Sequence, residues 1–338
     1  MDTATEAHPK IVVITPVRNE AWVLEAFLTC TSSWADHIII ADQCSTDGSR
    51  EIALRFPKVT LLTNPFSEWV EFECRRQLLE AATKIAGDKI IFALDADEFL
   101  SVGFDCTDGW RKMMESRPNE IFYFRWLNLY DDFNTVATGT GCAEWVAHFA
   151  ADVDIVEEYR KRERHAVHCQ RVPCLEVERC RYTEIDDIRF VHLAKLNHRR
   201  TCNKLDFYQV VNIDKNPDKS NPVAMYRSYN EYDPATLLHL DSPVPLYCLN
   251  SELDCRDMVK ESDYGQHFVD EMVAIFQREG CKKFNALCIW DNADLQAAGI
   301  QYRPPLLYRI IHSYLRLTQK YCHSFPIRAF DGLLKLFL

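Results

Sequence analysis

The stretch Lys89-Ile-Ile-Phe-Ala-Leu-Asp95-Ala-Asp97-Glu98 decides how this chain folds. Five of its first six residues are apolar, the signature of a buried strand, and the run then stops abruptly in acid. Residues two apart on an extended chain point the same way, so Asp95 and Asp97 can present their carboxylates side by side. Like charges that close repel one another unless a divalent cation lies between them, and hard oxygen ligands favour magnesium or manganese. Such a cation would hold a diphosphate. An acidic surface turn after a core strand is the plainer alternative, and the residues upstream bear on the choice.

Residues 11–15 read as a short buried strand closed by Pro16, and 20–30 carry apolar residues at helical spacing. A second strand, 37–41, ends in Asp42-Gln-Cys-Ser-Thr-Asp47-Gly48, which is turn and helix-cap chemistry. A short helix at 50–56, a third strand at 59–62 and a longer helix at 72–86 follow, the last with Leu78, Leu79, Ala82 and Ile85 on its inner face. Strands alternating with helices predict an α/β fold, a mainly parallel sheet with helices on both faces and right-handed crossovers. Ligands of such sheets bind outside the carboxyl ends of the strands. Thr15-Pro16, Asp42 and Asp95/Asp97 all fall at such ends, so three separate strands deliver polar residues to one edge.

Composition narrows the function. With 47% hydrophobic and 26% charged residues among 338, the chain is ordinarily globular. A net charge of −11 argues against nucleic-acid binding, which needs a basic surface, but not against a nucleotide held through a metal. The 14 cysteines are scattered without a C-x-x-C pair, no N-x-S/T acceptor occurs, and the first ten residues lack an apolar core. A reduced, cytoplasmic protein is expected. No run of 18 apolar residues predicts a membrane span. Past Leu100 the pattern loosens. A helix at 110–116, a strand at 120–127 and a helix at 268–276 are legible, 138–141 reads as a loop, and 155–205 is polar with few clear elements.

No G-x-G-x-x-G and no Walker lysine appear, which sets aside a dinucleotide fold or P-loop. The ordered series is instead Thr15-Pro-Val-Arg-Asn19-Glu20, Asp42-x-x-Ser-Thr-Asp-Gly48, Arg75-Arg76-Gln77 and Asp95-x-Asp97-Glu98. Over about residues 10–100 this resembles the family 2 glycosyltransferases, inverting enzymes of the GT-A fold. A looser likeness to lipopolysaccharide-core glycosyltransferases runs around 165–208. The resemblance implies a GT-A nucleotide-binding domain, placed over 1–215; beyond it a mostly helical C-terminal extension over 216–305 and a basic amphipathic tail over 306–338 are expected from the sequence pattern. It implies that Pro16 and Val17, with Thr15, lie against the nucleobase and that Glu20 binds ribose hydroxyls. Asp42 would accept the uracil imide proton, which favours a UDP-sugar. Arg76 would sit near the diphosphate, Asp97 would ligate Mn2+ or Mg2+, and Asp95 with Ala96 would lie nearer the ribose and the metal shell. On their own chemistry Arg76 also reads as a solvated helix face, Asp42 as a turn former and Glu20 as a first-turn helix acid.

Relatives in the wider GT-A group use a late histidine as a further metal ligand, and His192 in Phe190-Val-His-Leu193 matches that place. Inverting transfer also needs a base for the acceptor hydroxyl. Glu144, Asp154, Glu157, Glu158, Glu178, Glu184, Asp186 and Asp187 are candidates, and the usual E-D signature is absent, so the base stays unassigned. His165, His168, Cys169, Cys174 and Cys180 crowd together but match no zinc-finger spacing.

The expected activity is metal-dependent transfer of a sugar from a nucleotide sugar to a glycan or lipid-linked acceptor hydroxyl. The rivals are a nucleotidyltransferase, disfavoured because residues 15–20 contain no glycine, and a degenerate nucleotide-binding protein without a base. From Leu306 the apolar residues recur at a helical period, and five basic residues against Asp331 give 306–338 a net charge of +4. That pattern fits in-plane docking at the inner face of an anionic membrane. Packing on the protein's own core or on a second subunit is the alternative.

Overall fold

A computed structural model describes residues 8–64, 71–137, 142–151, 155–160, 171–172, 180–217, 221–230, 237–249, 251, 253–260 and 263–338. Of 142–145 and 158–160 it describes the backbone alone. The calls on 138–141, Asp154, His165, His168, Cys169, Cys174 and Glu178, and on the side chains of Glu144 and Glu158, lie outside it. The chain forms two compact units, 1–196 with 238–261, and 197–237 with 262–338. These limits differ from 215/216 and 305/306. The first division falls before helix 198–215, and the tail belongs to the second unit, where it is packed.

The first unit begins with β1 (Lys10–Val17), α1 (Leu24–Ser32), β2 (His37–Asp42), α2 (Ser49–Ala53), β3 (Val59–Thr63), α3 (Glu71–Thr83) and β4 (Lys89–Ala93). β4, β1, β2 and β3 lie side by side and are all parallel. Val13 and Val17 of β1 and Ile38 and Ile40 of β2 face α1 and α2; Val12, Ile14, Ile39 and Ala41 face α3. Burial on both faces is why these strands read as unbroken apolar runs. β1 does not close at Pro16 but runs to Val17. Ile14 O accepts from Leu94 N on the β4 side, so Pro16, two residues on, turns its missing donor the same way, past the end of β4.

β5 (Glu98–Leu100), α4 (Asp108–Met114), β6 (Glu120–Tyr130), β7 (Thr135–Ala137), β8 (Cys142–Phe149), α5 (Ile155–Arg160) and β9 (Arg181–Lys195) follow. β8 pairs antiparallel with β4 and carries β6 on its other side; β9 runs parallel to β6 and antiparallel to β5. The 15-residue β9 crosses the stretch that reads as featureless, because exposed Arg181, Glu184, Asp186 and Asp187 and a register shift interrupt its alternation.

The second unit holds α6 (His198–Lys215) and α7 (Pro222–Tyr229). After β10 (Leu237–His239) come α8 (Gln266–Glu279), α9 (Ala293–Ala297), α10 (Leu306–Thr318) and α11 (Phe325–Leu334). Ile311 and Leu315 of α10 are buried with Val223 and Tyr226 of α7. Asp331 of α11 takes a buried ion pair from Arg227 at 2.8 Å and a hydrogen bond from Tyr314 at 2.9 Å. No helix among the described residues is long and apolar enough to cross a membrane.

Candidate functional site

Two loops at the carboxyl ends of β1 and β2 are laced into one platform. Asn19 N donates to Ser45 Oγ and Glu20 N to Ser49 Oγ, both at 2.9 Å, and Ala21 N donates to Asp47 Oδ2 at 2.8 Å. Thr46 N returns a bond to Asn19 Oδ1 at 2.8 Å, and Ser49 Oγ donates to Asp47 Oδ1 at 2.6 Å. Gly48 follows at φ 96°, a left-handed conformation that glycine adopts without a steric penalty. The Ser-Thr-Asp-Gly series is therefore a latch that holds Asn19-Glu20-Ala21 by its backbone donors. Glu20 itself accepts from Trp22 Nε1 at 2.5 Å.

Asp42 is buried at the tip of β2, with Oδ2 taking Arg50 at 2.8 Å. Its Oδ1 is buried without a hydrogen-bond partner, as is Thr15 Oγ1 in β1. An unsatisfied buried carboxylate oxygen costs stability and is what a ligand N–H would relieve. Both orphaned atoms belong to residues for which the family resemblance implies nucleotide binding; Val17 and Ala96 are buried and Pro16 is half-buried.

At the end of β4, Asp95 and Asp97 take different partners. Asp95 Oδ1 pairs with Arg75 at 2.8 Å and its Oδ2 with Arg171 at 2.6 Å. Arg171 also pairs with the fully buried Glu98, which accepts Asp95 N at 2.9 Å and Trp126 Nε1 at 3.0 Å. Burial opposes the charge on Arg171, and Asp95 and Glu98 more than offset it, so its pKa is raised. Asp97 is buried and faces His192, whose Nε2 lies 3.7 Å from Asp97 Oδ1.

His192 is delivered by sheet register: β5 pairs Glu98 with His192, and β6 pairs Asn128 with it. Asn128 Oδ1 sits 2.7 Å from His192 Nδ1, and Trp126 stacks on the ring at 5.1 Å. With Nδ1 donating to that oxygen, the Nε2 lone pair is left to face Asp97. A hydrogen bond on the far nitrogen is the usual support of a metal-ligating histidine. Two ligand atoms on one ion with bonds of about 2.1 Å can lie up to about 4.2 Å apart, so Asp97 and His192 fit a shared hard cation. Glu71 adds a further ion pair to Arg75 at 3.6 Å.

Other site calls fall elsewhere. Arg76 points away, pairing with Glu73 at 2.8 Å and Glu80 at 3.0 Å along the outer face of α3. Arg75 is the arginine brought to Asp95. Leu78 and Leu79 lie three and four residues after it, so helical spacing already puts it on the inner face. Glu184 pairs with Arg125 at 2.7 Å, beside Tyr123 in the β6 register; Asn128 is five residues on, about 17 Å at strand rise. Asp187 accepts Gly109 N at 2.9 Å at the start of α4, and Asp186 sits in the same irregular turn of β9. None of these three acids is brought to Asp97. Glu98, Arg171 and Asn128 escaped the sequence reading: their partners come from distant segments, and only the sheet brings them together.

In a parallel sheet of this kind ligands bind outside the carboxyl ends of the strands, where these acids stand. Residues 12–134 match the family described as Glycosyl transferase family 2. The match takes in every motif from Thr15 to Asp97 and stops short of Arg171 and His192. Among solved structures, 4-diphosphocytidyl-2C-methyl-D-erythritol synthase is 13% identical, covering 53% of this chain and 88% of its own, with TM-score 0.37. The inositol-1-phosphate CTP transferase of T. maritima is 8% identical, with 55% and 91% coverage and TM-score 0.31. No curated protein matches the chain.

Proposed function

We propose that this protein is an inverting glycosyltransferase that takes a sugar from a nucleotide sugar, with UDP as the nucleotide, in the presence of Mn2+ or Mg2+. The observation that carries the reading is Asp97 facing a histidine whose other nitrogen is pinned by Asn128. Asp97 and His192 would hold the cation, whose chemistry is to neutralise the charge that grows on the departing diphosphate. Arg75 and Arg171 hold Asp95 beside that charge and keep the local potential from becoming prohibitively negative. The orphaned Asp42 Oδ1 supports the uracil N–H as its partner. The acceptor's oxygen attacks the anomeric carbon as the bond to the diphosphate breaks, the nucleoside diphosphate leaves, and an ionised carboxylate of this chain takes the hydroxyl proton.

The acceptor in this reading is a glycan or lipid-linked hydroxyl reached at a membrane surface. α10 and α11 leave Leu306, Leu307, Ile310, Leu317, Phe325 and Leu333 exposed, with Arg309, Lys320 and Arg328 in the same sequence span. An apolar face with basic residues suits anionic lipid. The test of the enzymatic reading is UDP release from a panel of UDP- and GDP-sugars with manganese and with EDTA. Manganese-dependent release from a UDP-sugar is expected. Release of diphosphate from a nucleoside triphosphate instead would mark a nucleotidyltransferase.

A further inference from the structure

A second cluster is made of cysteines that take no part in the acidic site. Cys30 of α1 and Cys248 and Cys255 of the returning segment 238–261 are all buried, with their sulfur atoms within 4.8 Å of one another. Among the described residues no other three potential metal ligands come so close. The chain path builds the trio deliberately. Cys255 N donates to Leu246 O at 2.8 Å and Tyr247 bridges Asp254, which brings 246–248 alongside 254–255 with a thiol on each. Leu249 N donates to Ser33 Oγ at 2.8 Å just past α1, which fastens that loop beside the third.

The spacing suits a metal better than a disulfide. Cys248 Sγ and Cys255 Sγ are 3.6 Å apart. In a tetrahedral zinc–thiolate site with bonds of about 2.3 Å, neighbouring sulfurs lie about 3.8 Å apart. A disulfide would need about 2.05 Å. Buried thiols otherwise behave as small hydrophobes, but Cys30 Sγ also donates to Leu246 O at 3.6 Å, which ties the α1 thiol to the segment that carries the other two. A cavity of about 340 Å3, lined by Val102, Phe104, Tyr247 and Cys248 among others, adjoins the cluster and offers access.

We propose that Cys30, Cys248 and Cys255 form a thiolate site for a borderline-soft divalent ion, zinc foremost, that clasps segment 238–261 onto α1. On loading, three S–H protons leave to solvent and three metal–sulfur bonds form, with the fourth tetrahedral position taken by water from the cavity. No electron transfer is involved.

The experiment uses the full chain, reduced and stripped with EDTA, titrated anaerobically with CoCl2 and then with ZnCl2. One equivalent of cobalt per chain should give a thiolate-to-cobalt charge-transfer band, bleached by zinc. The band should be lost in Cys248→Ser and Cys255→Ser and kept in Cys202→Ser. Cobalt at Asp97 and His192 would give no such band, so failure here leaves the proposed glycosyl transfer standing and separately testable. If the serine variants do not fold, the unaltered protein still decides. Zinc should slow iodoacetamide modification of Cys30, Cys248 and Cys255, with Cys106 and Cys202 reacting as before. Absence of the band in reduced protein, absence of zinc protection, or a Cys248–Cys255 disulfide in the isolated protein would overturn the proposal.

Discussion

Asp95 and Asp97 stand two residues apart and meet different surroundings. Asp95 is neutralised by two guanidiniums, whereas Asp97 faces an imidazole. The neighbouring arginines divide in the same way. Arg75 is buried against Asp95, so Arg75→Ala leaves carboxylates short of their counter-charge. We expect about 2–4 kcal/mol of destabilisation and weaker UDP binding. Arg76→Ala removes a partly exposed pair on the outer face and should cost no more than about 0.5 kcal/mol. Urea unfolding and UDP titration of both variants check this; equal effects would reverse the assignment. Choosing between Arg75 and Arg76 was possible from helical phase alone. Glu98 and Arg171 were not readable, because a buried glutamate and its arginine declare themselves only through the segments that surround them.

At the scale of elements, the parallel half of the sheet was legible because strands buried on both faces leave continuous apolar runs ended by polar residues. β9 was not: its outer positions are acids and its register shifts, so period-two alternation is lost, and His192 appeared only as the end of a short strand. The Asp47 latch belongs to this scale. Asp47→Ala removes acceptors for Ala21 N and Ser49 Oγ, so a loss of about 1–2 kcal/mol with weakened nucleotide binding is expected. Stability unchanged in thermal unfolding would deny the latch. In the second unit, burial pushes the Asp206 carboxyl up to about 7, against a bond from Asn292 that lowers it. The folded chain thus retains a proton that the unfolded chain sheds at about pH 4, and stability falls as pH rises between those values. Asp206→Asn should be neutral at pH 4 and stabilising by about 1–2 kcal/mol at pH 8, allowing for partial solvent exposure. A pH-independent difference in unfolding free energy would contradict it.

On the scale of the whole molecule, the tail both packs and remains exposed. Ile311 and Leu315 are buried, yet Leu307 and Leu317 are 64% and 76% exposed. The Leu307→Glu/Leu317→Glu double variant should therefore fold normally and lose flotation with anionic vesicles, which the unaltered protein should show in a salt-sensitive way. Equal flotation of both forms, or equal binding to neutral vesicles, would rule out the docking face. The central claim also joins distant parts of the chain: Asp97 lies inside the matched family segment and His192 outside it. The most direct test is calorimetric titration of UDP into the unaltered protein, Asp97→Asn and His192→Ala, each with manganese and with EDTA. A manganese-dependent gain in affinity of about tenfold or more, about 1.4 kcal/mol, is expected in the unaltered protein and should vanish in both variants. A gain of the same size in both variants, or none in the unaltered protein, would contradict it.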